Sequence, residues 1–275
     1  PYTGDSGPKI TYENLFITKA SPLKVVGIDL TGSENKPSGW CLLDGTEAST
    51  RLIESDEDLI SKTLAAQPHI VSIDSPLSLP QGRISVQDDD PGRHQYGIMR
   101  FCERLLKKRG INVYPALIPS MQKLTARGIR LASLLRSKGV PVIESYPGAA
   151  QDIMGIPRKR ASLDMLREGL KEFGIQGNFL KEQLTHDELD AITSSIVGAF
   201  FWSGKFEALG AEGDEALIIP DLETDAAIWN NRKIIGISGR IAAGKTTLAQ
   251  YLETQGFHYT RYSMVLAAMM REQGK

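Results

Sequence analysis

Residues 69–74, HIVSID, form a short apolar run closed by an aspartate. Strands covered on both faces read this way, and the preceding residues 59–66 have the spacing of a short helix, so a buried strand reached by a helical crossover is predicted here. Upstream lie three further runs, 24–30 (KVVGIDL), 39–43 (GWCLL) and 50–54 (TRLIE), separated by Gly, Pro, Asn and Asp. They predict a three-stranded antiparallel opening. Downstream, 93–109 reads as a helix ended by Gly110, 111–114 as a strand, 121–138 as a helix stopped by Gly139, and 140–145 as a strand. Residues 185–202 read as an amphipathic helix with Leu189, Ile192, Ile196, Val197, Phe200 and Phe201 on its apolar face. Thr185 and Glu188 supply its capping box. An apolar run at 216–220 closes the series. An antiparallel start followed by alternating strands and helices defines an α/β fold: a mixed sheet, antiparallel in its first three strands and then parallel, flanked by helices.

The 275 residues, 41% hydrophobic and 24% charged, are ordinary globular material, enough for one large domain and part of another. Residues 1–23 are polar and punctuated by Gly and Pro, and read as a poorly structured leader or tail. The main domain is expected over 24–223, a linker over 224–231 after an acidic stretch, and a second, incomplete domain over 232–275. A start at Pro1 and an end at Lys275, soon after a new domain opens, lead us to expect a piece of a longer protein. The net charge of −1 gives no overall attraction to polyanions, so a nucleic-acid partner would have to meet local basic patches. Residues 107–109 and 158–160 offer two such patches, with solvated surface as the other reading. Cys41 and Cys102 are far apart and read as buried thiols of a reducing compartment. No run approaches the roughly 18 apolar residues of a membrane span, and no signal-peptide order opens the chain, so the expectation is a cytoplasmic protein without a membrane partner.

Four aspartates stand where strands and helices bring side chains together. Asp29 and Asp74 end two core strands, and Asp187 and Asp190 lie one turn apart at the start of a helix. Adjacent parallel strands align their carboxyl ends, and a spacing of three shares one helical face, so the four carboxylates converge on one pocket. Clustered carboxylates repel and call for cations. Hard oxygen ligands select Mg²⁺ or Mn²⁺, and such ions activate water for phosphodiester hydrolysis. Simpler roles stand beside these: Asp187 in a first turn complements the helix dipole by about 0.3–1 kcal/mol, and Asp29 and Asp74 suit turns after strands. Asp190, among Leu189, Ala191 and Ile192, borders an apolar face where an unpaired carboxylate is costly. Glu144 is an accessory candidate, with structural hydrogen bonding as its alternative. His186 either orients a water or phosphate or is simply solvated.

Several stretches together resemble the RNase H-like superfamily, and within it a family of predicted nucleases. They are GIDL at 27–30, IDSPLSLP at 73–80, RFCERLLKKRG at 100–110, VIESYPGAA at 142–150, HDELDA at 186–191 and EALIIP at 215–220. The resemblance spans about 24–223. It implies a divalent-metal-dependent nuclease in which Asp29 bridges two metals, Asp74 holds one of them, and Asp187 with Asp190 completes the site.

A second motif lies outside that span. Residues 233–238 (KIIGIS) read as a strand, and Gly239 to Thr246 fits the phosphate loop G-x-x-x-x-G-K-[ST] with helix-forming residues behind it. Gly239 and Gly244 let the backbone wrap a phosphate, Lys245 reaches the outer phosphates, and the Thr246 hydroxyl ligates Mg²⁺, with Thr247 beside it. ATP or another nucleotide is the implied ligand. The segment to 275 is similar to nucleoside-monophosphate and dephospho-coenzyme A kinases. It is too short to hold their remaining catalytic parts, so kinase activity belongs to a longer chain and would make the larger domain a regulatory or binding module. A reading of 27–33 (GIDLTGS) as the phosphate loop of an actin-like ATPase ranks last, because such enzymes use two copies of the core and one is visible here.

Overall fold

The computed structural model describes residues 10–15, 22–34, 36–158, 162–211, 215–222 and 245–254. The chain divides into two compact units, Pro1–Asn231 and Arg232–Lys275.

In the first unit, β1 (Lys24–Asp29) pairs antiparallel with β2 (Ser38–Asp44) and parallel with β4 (Ile70–Asp74). Its apolar residues face both ways because helices cover both sides. β3 (Glu47–Ile53) extends the antiparallel side, and the two-residue β6 (Gln176–Gly177) lies parallel to β3 at that edge. On the other side β5 (Val142–Ser145) and β8 (Leu217–Pro220) follow in parallel, and β7 (Phe206–Leu209) turns back antiparallel. The resulting eight-stranded mixed sheet runs β6-β3-β2-β1-β4-β5-β8-β7. The expected α/β architecture, antiparallel first and parallel afterwards, is observed.

Helix α7 (His186–Trp202) lies directly on β1, β2 and β4. Its capping box forms as its sequence predicts: Thr185 Oγ1 accepts from the Glu188 N–H, and Glu188 Oε2 accepts from the Thr185 N–H. The approach is close because glycines lie beneath it. A Cβ on Gly27 would stand 2.0 Å from the Ala191 carbonyl oxygen, and one on Gly39 would stand 2.1 Å from that of Asp187. With α5 (Pro147–Met154) and α6 (Leu163–Glu172), α7 closes a core containing Val25, Ile143, Phe173, Ile192 and Phe200. Each fully buried phenylalanine stabilises this layer by about 1.5–3 kcal/mol. The opposite face packs Val26, Ile28, Val71 and Ile73 against Leu131 of α4 (Pro119–Ser137) and Leu59 of α1 (Asp56–Ala65). A third cluster joins Leu106 of α3 (Phe101–Lys108) to Leu217 and Ile219.

Three local expectations are corrected. The helix expected over 93–109 breaks into α2 (Arg93–Tyr96) and α3, because Gly97 takes a left-handed φ of 72° and Arg100 is extended at the α3 N-cap. Residues 111–114 are irregular rather than a strand. Among the described residues no strand pairs with them, and nearby the Ala116 N–H is drawn to Glu103. Residues 12–15, placed in a loose leader, form a 3-10 turn whose Tyr12 and Leu15 are buried, with the Tyr12 N–H donating to the Phe173 carbonyl at 2.7 Å. α5 and α6 lie in a stretch for which the sequence suggests no element. Both Cys41 and Cys102 are buried free thiols, and burial pushes each up to about 12. No helix among the described residues is long and apolar enough to cross a membrane.

In the second unit the described residues 245–254 form a helix, α8 (Lys245–Thr254), which carries Lys245, Thr246 and Thr247 of the phosphate-loop motif. Gly239, Gly244 and the strand expected over 233–238 lie outside the described residues.

Candidate metal centre

The site grows from strand register. Asp29 pairs with Asp74 across β1 and β4, and Asp74 with Ser145 across β4 and β5. Residues paired in parallel strands point to the same face. Gly27, two residues before Asp29, touches α7, so Asp29, Asp74 and Ser145 form one row on the α7 side at the carboxyl ends of the three strands. Asp29 is 7% exposed and Ser145 2% exposed, whereas Asp74 is half-buried.

The first turn of α7 closes over this row. Because Gly39 admits the Asp187 backbone, oxygens of Asp29 and Asp187 and a ring nitrogen of His186 all lie within 4.8 Å of one another. His186 Nδ1 stands 2.7 Å from Asp187 Oδ1. Two carboxylates and an imidazole are a donor set that suits Mn²⁺ and, through the oxygens, Mg²⁺. The helix N-terminus adds positive potential of its own, so the carboxylates are favourably placed without a cation as well.

Asp190 sits one turn further along α7. It is buried, and its Oδ1 accepts a 2.9 Å hydrogen bond from Gln151 Nε2 of α5, which also donates to Thr193 Oγ1. This explains how a carboxylate is tolerated beside Leu189 and Ile192.

Glu144 is placed differently. It pairs with Ile73, one residue out of phase with Asp74, and therefore points to the opposite face of the sheet. There it accepts both Arg100 Nη1 (2.7 Å) and Nη2 (2.6 Å), together with the Leu77 N–H at 2.7 Å. Burial alone would lower the Arg100 pKa, but Glu144 outweighs it and holds the guanidinium well above its ordinary value. The pair fastens the loop after β4 and lies apart from the Asp29 row.

Around the rim, Arg158 is held by Asp152 at 2.7 Å and lies over the Tyr146 ring, 5.9 Å from its centroid. Burial raises the Tyr146 phenol above its ordinary value. Arg158 opposes that shift and the Asp74 carboxylate adds to it, so Asp74 is within electrostatic reach of the ring. Of the basic patches, Arg109 is engaged bidentately by Glu207 and Arg158 by Asp152. Lys107 and Lys108 are exposed, and Lys159 and Arg160 lie outside the described residues.

Sequence reasoning assigned no role to Gln151 or Ser145. Gln151 carries no local signal, since only the packing of α5 on α7 reveals its partner. Ser145 was readable in principle, because the alternation that turns Glu144 away turns its neighbour inward once the register is known.

A scan against protein-family models and a search of curated proteins return no match to this chain.

Proposed function

We propose that residues 24–223 form an RNase H-like, divalent-metal-dependent nuclease or related phosphodiesterase, joined to a nucleotide-binding phosphate-loop segment. The observation that carries this reading is the meeting of Asp29, Asp187 and His186 within 4.8 Å at the carboxyl end of the central strand. The β3-β2-β1-β4-β5 order, antiparallel and then parallel, fits the mixed sheet that the resemblance implies. Bound Mg²⁺ or Mn²⁺ would supply Lewis-acid polarisation of a phosphate and acidification of a water. Asp29 and Asp187 hold the cation, Asp74 extends the row of oxygen donors, and His186 offers a nitrogen ligand or a hydrogen bond to substrate. Gln151 fixes the rotamer of Asp190 and keeps its carboxylate from collapsing into the apolar layer beneath.

Calorimetric titration of the whole chain with Mn²⁺ tests the reading. Wild type should bind, and Asp29→Asn should bind about tenfold more weakly or worse, with phosphodiester hydrolysis lost in parallel. Equal binding by the two proteins, or none by wild type, would discard the reading.

A second reading, a nucleotide or small-molecule kinase in a longer chain, draws on the phosphate-loop motif itself and on the helical conformation of its Lys245, Thr246 and Thr247 in α8. ATP is then the ligand of Lys245 and Thr246, and the larger unit is a binding or regulatory module.

A further inference from the structure

Carboxylates gather at helix starts for electrostatic reasons of their own, so the Asp29 cluster by itself recommends no ligand. Ser145 supplies independent information. It is the last residue of β5, is 2% exposed, and its Oγ makes no hydrogen bond to any described group. Protein interiors satisfy almost all their buried hydroxyls, and those of Thr193 and Ser195 nearby donate to the Leu189 and Ile192 carbonyls. The hydroxyls of Ser72, Ser194 and Tyr12 share the condition of Ser145, but Ser72 lies one layer deeper, level with Gly27 and beneath α7, Ser194 lies two turns along α7 from Asp187, and Tyr12 belongs to the 3-10 turn that bonds Phe173. Only Ser145 stands in the row of the carboxylates, directly beside Asp74 on the neighbouring parallel strand.

We propose that Ser145 Oγ is a neutral oxygen ligand of a divalent cation shared with Asp74. The inference rests on the metal-dependent reading given above and adds to it a ligand and a position. Adjacent strands lie about 4.8 Å apart, so a carboxylate and a hydroxyl in register reach one ion between them. Hard cations accept neutral oxygens beside carboxylates, and a serine or threonine hydroxyl serves Mg²⁺ in this way in phosphate loops. A lone pair of Oγ turns to the ion and the proton stays on the oxygen, so the site gains a ligand without further negative charge. That matters where Asp29, Asp74 and Asp187 already repel one another.

The test uses the whole chain and metal titration without substrate. Mn²⁺ and Cd²⁺ are titrated calorimetrically into wild type, Ser145→Ala, Ser145→Cys and Asp29→Asn, after melting curves have checked that each is folded. Ser145→Ala should weaken Mn²⁺ binding about tenfold. Ser145→Cys should weaken Mn²⁺ similarly while raising the preference for Cd²⁺ over Mn²⁺ about tenfold or more, because thiolate is a soft ligand. Cys41 and Cys102 are common to all four proteins and cancel in that comparison. Unchanged Mn²⁺ affinity in Ser145→Ala, or a loss there without the cadmium gain in Ser145→Cys, overturns ligation by Ser145. If Asp29→Asn still abolishes binding in that case, the metal-dependent reading survives alone. Absence of Mn²⁺ uptake by wild type overturns both.

Discussion

Glu144 and Ser145 show how one residue of phase separates structure from candidate chemistry. Both are buried in the same strand, yet Glu144 meets Arg100 on one face of the sheet while Ser145 faces Asp74 and α7 on the other. Removing one partner of a buried ion pair leaves the other charge uncompensated, at a cost of about 3 kcal/mol or more. Glu144→Gln should therefore lower stability by roughly that amount in urea unfolding, moderated by the bond Arg100 keeps to Glu103. Its Mn²⁺ affinity should stay within about twofold of wild type, since a change on the far face of the sheet does not share partners with the Asp29 row. A folded Glu144→Gln protein without Mn²⁺ binding would return Glu144 to the site. The sequence offered Glu144 as an accessory candidate because a strand carboxylate is visible in one dimension. Which face it occupies depends on pairing with β4, and that pairing is not written in either strand alone.

At the level of elements, much was legible. β1, β2, β3, β4 and β5 follow from runs of apolar residues, and α7 from its capping box and apolar face, because these signals are local and strong. What was lost depends on distant partners. The break at 97–100 follows from the pull of Glu103 and Glu144 on Arg100, and the edge strands β6 and β7 are too short to show a period. Gly27 and Gly39 are strand glycines of a kind that marks close backbone approach, and here they admit α7. Gly39→Ala would drive a Cβ into the Asp187 carbonyl, a backbone group that cannot swing aside as a flexible side chain would. It should destabilise the chain by about 2 kcal/mol or more and weaken Mn²⁺ binding, because it pushes the first turn of α7 away from Asp29. Gly32→Ala is the control. There a Cβ meets only ordinary contacts 3.6 Å from Leu124, so melting temperature should hardly move. If Gly39→Ala proves as benign as Gly32→Ala, the first turn of α7 does not sit as closely on β2 as the fold requires.

For the molecule as a whole, the division into Pro1–Asn231 and Arg232–Lys275 separates two sets of candidate ligands: the Asp29 row in the first unit, and Lys245, Thr246 and Thr247 in the second. The carboxylate site was only partly legible because its carboxylates come from three elements scattered between residues 24 and 202, whereas a phosphate loop is contiguous and announces itself in a single line of sequence. The two differ in chemistry as well. Asp29 and Asp187 offer anionic oxygens to a bare cation, while Lys245 repels one and favours a phosphate instead. Lys245→Ala should therefore reduce binding of a fluorescent ATP analogue with Mg²⁺ by about tenfold to a hundredfold, the loss of one charge-assisted contact of roughly 1.5–3 kcal/mol. Mn²⁺ titration in the absence of nucleotide should match wild type. Unchanged affinity for the analogue would remove the phosphate-loop assignment. A loss of Mn²⁺ binding would mean that the cation detected by calorimetry resides with the second unit rather than with Asp29. Run beside Asp29→Asn, whose pattern should be the reverse, the experiment assigns each ligand to its own unit.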